Sequence, residues 1–228
     1  MVVLLSVMGL AGGVTWALLG SGLVAVRSVV VTGTRLVPRS EVLAVADIQP
    51  GTPLVRVNTA RIAGRVLTIR QVLAVQVSTS WPDRVIIAVR ERTAVLAVAL
   101  PRGGFDFIDA NGVVVQPAPA RPRGLPLFTT TAAVSALSGD PDVSAAAAVL
   151  GALPAPLRAA VTSVTAPSPD QVTLQLNNGV TVVWGGADNT AAKAAELAIL
   201  MTTHARYYDV SAPASAVTGA VPSNAASG

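Results

Sequence analysis

No charged side chain occurs from Met1 to Val26; after Arg27 the chain changes to short periodic runs divided by glycine and proline. Val29, Val30 and Val31 form a β-branched run stopped by Gly33, which predicts a short strand. Pro38 and Ser40 open a helical pattern carrying Val42, Leu43 and Val45 as far as Ala46, and Gln49-Pro50-Gly51 breaks it. Asn58 or Thr59 is placed to cap a second helix. Its Ile62, Val66 and Ile69 recur at near-helical intervals, while Arg61, Arg65 and Arg70 populate the other face. Val75 and Val77 then alternate with polar neighbours, Trp81-Pro82-Asp83 supplies a turn, and Val85, Ile87 and Val89 alternate again. The predicted order is β-α-α-β-β.

Beyond Thr93 the pattern is mostly strand. Phe105 and Phe107 face Val113 and Val115 across Asn111-Gly112, and Val172, Leu174 and Leu176 face Val180, Val182 and Trp184 across Asn178-Gly179. Both read as tight type I′ hairpins, whose two central residues need positive φ. Asp140 before Pro141 predicts a helix to about Leu153. Another should run from about Thr190 to Thr203, capped by Asp188 or Asn189 and burying Ala194, Leu197 and Met201. Pro117 to Pro126 reads as an irregular connector, and Val217 to Gly228 as disordered. The fold class is therefore α+β.

At about 1.5 Å per residue, a helix of 26 residues exceeds the roughly 30 Å hydrocarbon core, so residues 1–26 predict one transmembrane helix. Read instead as a signal peptide, the stretch lacks a basic start and is too long for an apolar core of roughly 7–15 residues. The nearest cations, Arg27, Arg35 and Arg39, follow the span, and counted alone they would keep the rest of the chain in the cytoplasm. Charge is uneven across the remainder. From Arg27 to Leu100 ten arginines meet four acids; from Pro101 onward six cations meet eight acids. The basic half is suited to anionic headgroups or an acidic partner, or is a solvated helix face, with Arg61, Arg65 and Arg70 as its exposed residues. Nucleic acid is a poor partner, because no aromatics interleave with the arginines.

Chemistry is sparse. Cysteine is absent, His204 is the lone histidine, and no metal or thiol site can be assembled. Asp106 and Asp109, like Asp140 and Asp142, sit where turns and helix caps need acids. Asp109-Ala110-Asn111-Gly112 lacks the glutamate that completes a calcium loop, and Gly103-Gly104 and Gly185-Gly186 lack the spacing of phosphate loops. Ser135, Ser138 and Ser144 have no neighbouring base. No catalytic residue, metal or cofactor is assigned. The C-terminal run Tyr207, Tyr208, Asp209, Val210 and Ser211 is a candidate partner-binding strand. A terminal strand with an unpaired edge accepts another strand, and tyrosines give packing area at low entropic cost; alternatively both rings belong to the core.

Several motifs occur in a telling order: Val29-Val30-Val31-Thr32-Gly33, Gly51-Thr52-Pro53-Leu54, Trp81-Pro82-Asp83, Val89-Arg90-Glu91-Arg92, Phe107-Ile108-Asp109-Ala110-Asn111-Gly112-Val113-Val114 and Val183-Trp184-Gly185. The helix around Lys193 and the strand Tyr207 to Ser211 complete the series. Together they resemble the FtsQ/DivIB family of bacterial division proteins. The resemblance implies a POTRA domain over 27–92 and an FtsQ-type β domain over 93–219, behind the transmembrane helix read over 1–26 and ahead of a tail over 220–228 read as disordered. It also implies soluble domains outside the cytoplasm at the division septum, FtsB/FtsL-type bitopic coiled-coil partners bound at the C-terminal strand, and a part in controlling septal peptidoglycan synthesis. A second reading of the same β-α-α-β-β unit is a POTRA-type secretion or chaperone module that binds extended clients. That class normally carries tandem POTRA repeats or a membrane β-barrel. A wall hydrolase would need an acid or metal constellation that the sequence does not offer.

Overall fold

The structure, a computed structural model, describes residues 24–129, 140–212 and 217–219, together with Gly9. Most of the apolar stretch 1–26, and the tail 220–228, lie outside the described residues. Among those described, no helix is long and apolar enough to cross a membrane. The chain divides into two compact units, residues 1–92 and 93–228.

The first unit runs β1 (Ser28–Thr32), α1 (Arg39–Ala46), a 3-10 turn (Leu54–Arg56), α2 (Thr59–Val66), β2 (Val72–Ser80) and β3 (Arg84–Glu91). Its sheet has the order β1-β3-β2, with β1 parallel and β2 antiparallel to β3. The period-2 runs supply Val31, Val85, Ile87 and Val89 to one core, which Val42, Ala46, Ile62 and Val66 cover from the helices. The Asn58 side chain caps α2 by accepting the Arg61 N–H at 2.9 Å. Gly33 sits at φ +84°, and a Cβ there would collide with the Val89 carbonyl oxygen. The turn that follows Gly33 is held by Glu91, whose carboxylate accepts the N–H groups of Arg35, Leu36 and Val37 at 2.9–3.0 Å. Burial pushes the Glu91 carboxyl up, but these donors, helped by the Arg35 charge, outweigh it and hold the group below the ordinary carboxylate range.

The second unit contains β4 (Ala94–Ala99), β5 (Phe105–Asp109), β6 (Val114–Ala118), β7 (Leu127–Thr129), α3 (Pro141–Ala152), α4 (Ala155–Ala160), β8 (Val161–Thr165), β9 (Val172–Leu176), β10 (Thr181–Gly185), α5 (Thr190–Leu200), β11 (Tyr207–Asp209) and β12 (Val217–Gly219). Among the described residues these strands form one sheet in the order β12-β11-β10-β9-β8-β7-β4-β5-β6. Leu96, Ile108, Leu150, Val164, Leu174, Trp184 and Leu197 share its core. Asp140 caps α3 as expected, accepting the Asp142 and Val143 N–H groups at 2.8 and 3.2 Å.

Several expectations are corrected. Gly112 and Gly179 have positive φ, whereas Asn111 and Asn178 do not, so neither hairpin turn is type I′. One left-handed residue after a tight turn is the pattern of a G1 bulge. The Asp109 carboxylate stabilises the first turn by accepting the N–H groups of Asn111 and Val113, at 3.0 and 2.9 Å. The last α-helix stops at Leu200 and tightens into a 3-10 turn over Met201–Thr203. Pro117 belongs to β6, the outer strand of its side of the sheet, where a missing N–H leaves no ladder partner unsatisfied. Val217–Gly219, read as disordered, is a strand.

Candidate functional site

β11 lies beside β10 in parallel register, Thr181 against Tyr207, Val182 against Tyr208 and Val183 against Asp209. The Val210 N–H extends the pairing to the Val183 carbonyl at 2.9 Å. Alternation along a strand then fixes the side chains: Tyr208 and Val210 are buried in the core with Trp184 and Leu197, Tyr207 and Asp209 are half-buried, and Ser211 is exposed. The side chains of Tyr208 and Val210 therefore belong to the core rather than to an open face. Tyr207 keeps a partly open ring. Burial, and then the Asp209 charge, raises its hydroxyl pKa above the ordinary range. Asp209 also accepts the Ser211 N–H at 3.0 Å and its hydroxyl at 2.7 Å, closing the end of the strand.

The free edge expected at β11 is occupied. β12 pairs antiparallel on its other side, Tyr207 against Gly219 and Asp209 against Val217, so β12 forms the rim of the sheet. Hydrophobic patterning missed this strand because Val217-Thr218-Gly219 pairs through its backbone and is too short to show a period. Near the start of β11 lies an apolar groove of about 390 Å³, lined by Pro156, Leu157, Ala160, Leu176, Leu197 and Met201. Leu176 ends the strand whose turn leads into Thr181, the partner of Tyr207, which places the groove at that end of the sheet. Sequence reasoning did not find it because α4 was not predicted; two prolines disguise that six-residue helix.

The three arginines of the basic face separate. Arg61 and Arg65 line one cleft of about 200 Å³ together with Arg56, which sequence reasoning missed, while Arg70 does not line it. Arg56 closes the 3-10 turn rather than a helix, so its spacing from Arg61 carries no periodic signal. Arg65 is structural on one side. Its guanidinium donates to the Ala46 carbonyl and, at 3.4 Å, to that of Asp47, stands 3.8 Å from the Asp47 carboxylate, and so caps the C-terminus of α1.

Lys193, on α5, carries more than the sequence pattern shows. It is fully buried, donating from Nζ to the Gly186 carbonyl at 3.0 Å, with the exposed Asp188 carboxylate at 3.6 Å. Gly185 next to it has φ +74°, and a Cβ there would approach Ser211 Cβ to 2.9 Å, so the Val-Trp-Gly motif marks a close crossing of two chain segments. His204 is exposed at the helix end. Among the described residues no group of three His, Cys, Asp or Glu side chains is arranged to hold a metal ion.

The family described as POTRA domain, FtsQ-type, matches residues 24–92, and Cell division protein FtsQ/DivIB, C-terminal, matches residues 97–212. A protein named cell division protein FtsQ from Mycolicibacterium smegmatis is 40% identical over 187 residues, covering 82% of this chain and 55% of its own length. One of the same name from Streptomyces bingchenggensis is 38% identical over 217 residues, covering 92% of this chain and 82% of its own. The chain thus spans between half and two-thirds of the mycobacterial relatives it matches. The extracytoplasmic domain of DivIB from Geobacillus stearothermophilus aligns at a TM-score of 0.36 and 21% identity, over 49% of this chain and 96% of that one, too distant to carry weight. With both units matched in order by their own family descriptions, the chain belongs to the FtsQ/DivIB family of cell division proteins.

Proposed function

We propose that this chain is a bitopic membrane scaffold of the division machinery, anchored through the apolar stretch before Val24, with both units outside the cytoplasm at the septum. It recruits FtsB/FtsL-type coiled-coil partners and so helps regulate septal peptidoglycan synthesis, making and breaking no bond itself. The mechanism is positional: tethering raises the effective concentration of each contact well above that of free domains. The observation that supports this reading is the sheet rim at β12, which among the described residues has no strand on its outer side and is neighboured by the half-buried Tyr207. A partner strand adds to β12, or replaces it against β11, through main-chain hydrogen bonds, while side chains supply specificity.

A photo-crosslinking residue placed at Thr218 in dividing cells should capture a small bitopic membrane protein, and the same residue at the exposed Ala191 on α5 should not. Capture of varied unfolded secretory chains at Thr218 would favour the secretion-module reading instead. Depletion should block septation. Cells that divide normally without the protein would refute the scaffold.

A further inference from the structure

The arginine cleft of the first unit adjoins the point where the apolar stretch meets the fold. Val24, Ala25 and Val26 are buried, and Ala25 bridges to Pro53. The Val26 N–H donates to the Thr52 carbonyl and the Gly51 N–H to the Val26 carbonyl, both at 2.9 Å. The loop that receives the chain is also a wall of the cleft, through Gln49 and Thr52, and three residues past Pro53 comes Arg56. Arg56 and Arg61 are exposed, and Arg65 completes the basic wall. One acid, Asp47, lines the cleft, and Arg65 already engages it, so among the described residues the cleft carries more positive than negative charge. Val55, the chain neighbour of Arg56, exposes an apolar side chain, 54% accessible.

We propose that this cleft binds the anionic headgroup of a membrane phospholipid, docking the first unit against the bilayer surface at the foot of its own anchor. The proposal rests on reading the apolar stretch before Val24 as a bilayer segment, which brings the Gly51–Arg56 loop near the headgroup layer because Ala25 and Val26, the first residues of the fold, pair with that loop. Arginine forks match phosphate oxygens in two-point geometry, and a negative bilayer surface adds a long-range attraction that decays within a Debye length. An apolar side chain beside the basic residues suits the boundary between headgroups and acyl chains. An acidic protein segment would find the same charges, but a free protein surface gives no reason for the cleft to adjoin the end of the apolar stretch.

The absence of cysteine permits a clean test on the full chain. Val55→Cys, labelled with an environment-sensitive fluorophore, is reconstituted in vesicles of pure phosphatidylcholine or with roughly a third phosphatidylglycerol. Flotation with the neutral vesicles reads the anchor separately from the cleft. The label should be shielded from an aqueous quencher only when phosphatidylglycerol is present, and the shielded-to-accessible ratio should fall roughly fivefold for each of Arg56→Gln and Arg61→Gln. Both positions are exposed, and unchanged melting temperatures would show that the fold is kept. Inorganic phosphate added at high concentration with ionic strength held constant should leave the shielding intact; its loss would assign the cleft to free phosphate and overturn the lipid proposal. Shielding that is independent of phosphatidylglycerol, unaffected by either substitution, or seen only after an acidic protein is added would overturn it as well. Failure to float with neutral vesicles refutes the anchor, while phosphatidylglycerol-dependent, arginine-dependent shielding would still support the cleft.

Discussion

Both units fasten a glycine turn with one charged side chain, and they use opposite charges in opposite surroundings. In the first, half-buried Glu91 collects three backbone N–H groups after Gly33. In the second, Lys193 is sealed from solvent, with one carbonyl from Gly186 and a more distant, exposed Asp188. A carboxylate satisfied by several donors, yet still near water, gains from its charge and stays titratable. An ammonium stripped of water must recover its hydration from few contacts, so its net contribution is small even though removing its partners is harmful. Glu91 is therefore expected to act as a pH-dependent clasp.

The largest test sets the cores apart from these clasps. Tyr208→Ala should lower the stability of the second unit by about 3–4 kcal/mol and leave the first untouched, read by hydrogen exchange in each unit. Tyr207→Ala, on the half-buried side, should cost about 1 kcal/mol or less while weakening partner capture; the reverse ranking would mean that the strand's facing is wrong. Next, Gly33→Ala should destabilise the first unit by about 3 kcal/mol, because both φ and the Val89 oxygen oppose a Cβ. Gly51→Ala, with similar φ but open space, should cost about 1 kcal/mol. Equal effects would remove the steric part of that account.

Glu91→Gln should cost the first unit about 1–2 kcal/mol at neutral pH. Because the folded carboxyl is held below its ordinary value of 4.5, its stabilisation is complete above that pH. It fades as the pH falls through the lower, folded value, since the unfolded chain protonates first. The wild-type first unit should thus lose stability on acidification below that point more steeply than the Gln variant, measured by melting each at stepped pH. The smallest effect is expected for Asp188→Asn, under about 1 kcal/mol, since solvent screens an acid so exposed. A drop of several kcal/mol would make Asp188 an essential counter-ion and Lys193 the more fragile fastening.

What the sequence made legible followed the strength of its local signals. The first unit's order was readable because period-2 and period-3.6 runs were long and separated by breakers, as in Val85, Ile87 and Val89 against Ile62 and Val66. Asp140 and Asn58 announced their helices because capping is a contact over two or three residues. Strands of three residues, β7, β11 and β12, carry no usable period, and β7 and β11 pair with strands distant in sequence. That is why the C-terminal strand was found by its motif while its covered edge and the facing of Tyr208 were not. The groove beside α4 was hidden for the same reason, being assembled from elements far apart along the chain, whereas Arg56 was hidden because a 3-10 turn carries no periodic signal.

The parallel pairing of β1 with β3 carries a mechanical consequence. Ser28 stands opposite Arg84 and Thr32 opposite Ala88, so the leading end of β1 and the trailing end of β3 point in opposite directions. Tension applied between the residues preceding Arg27 and those following Arg92 would slide the two strands lengthwise, loading all five rungs at once rather than peeling them singly. Domains loaded in that sense resist extension far better than ones that unzip, so the first unit should hold its fold under a pull that would open a peeled sheet.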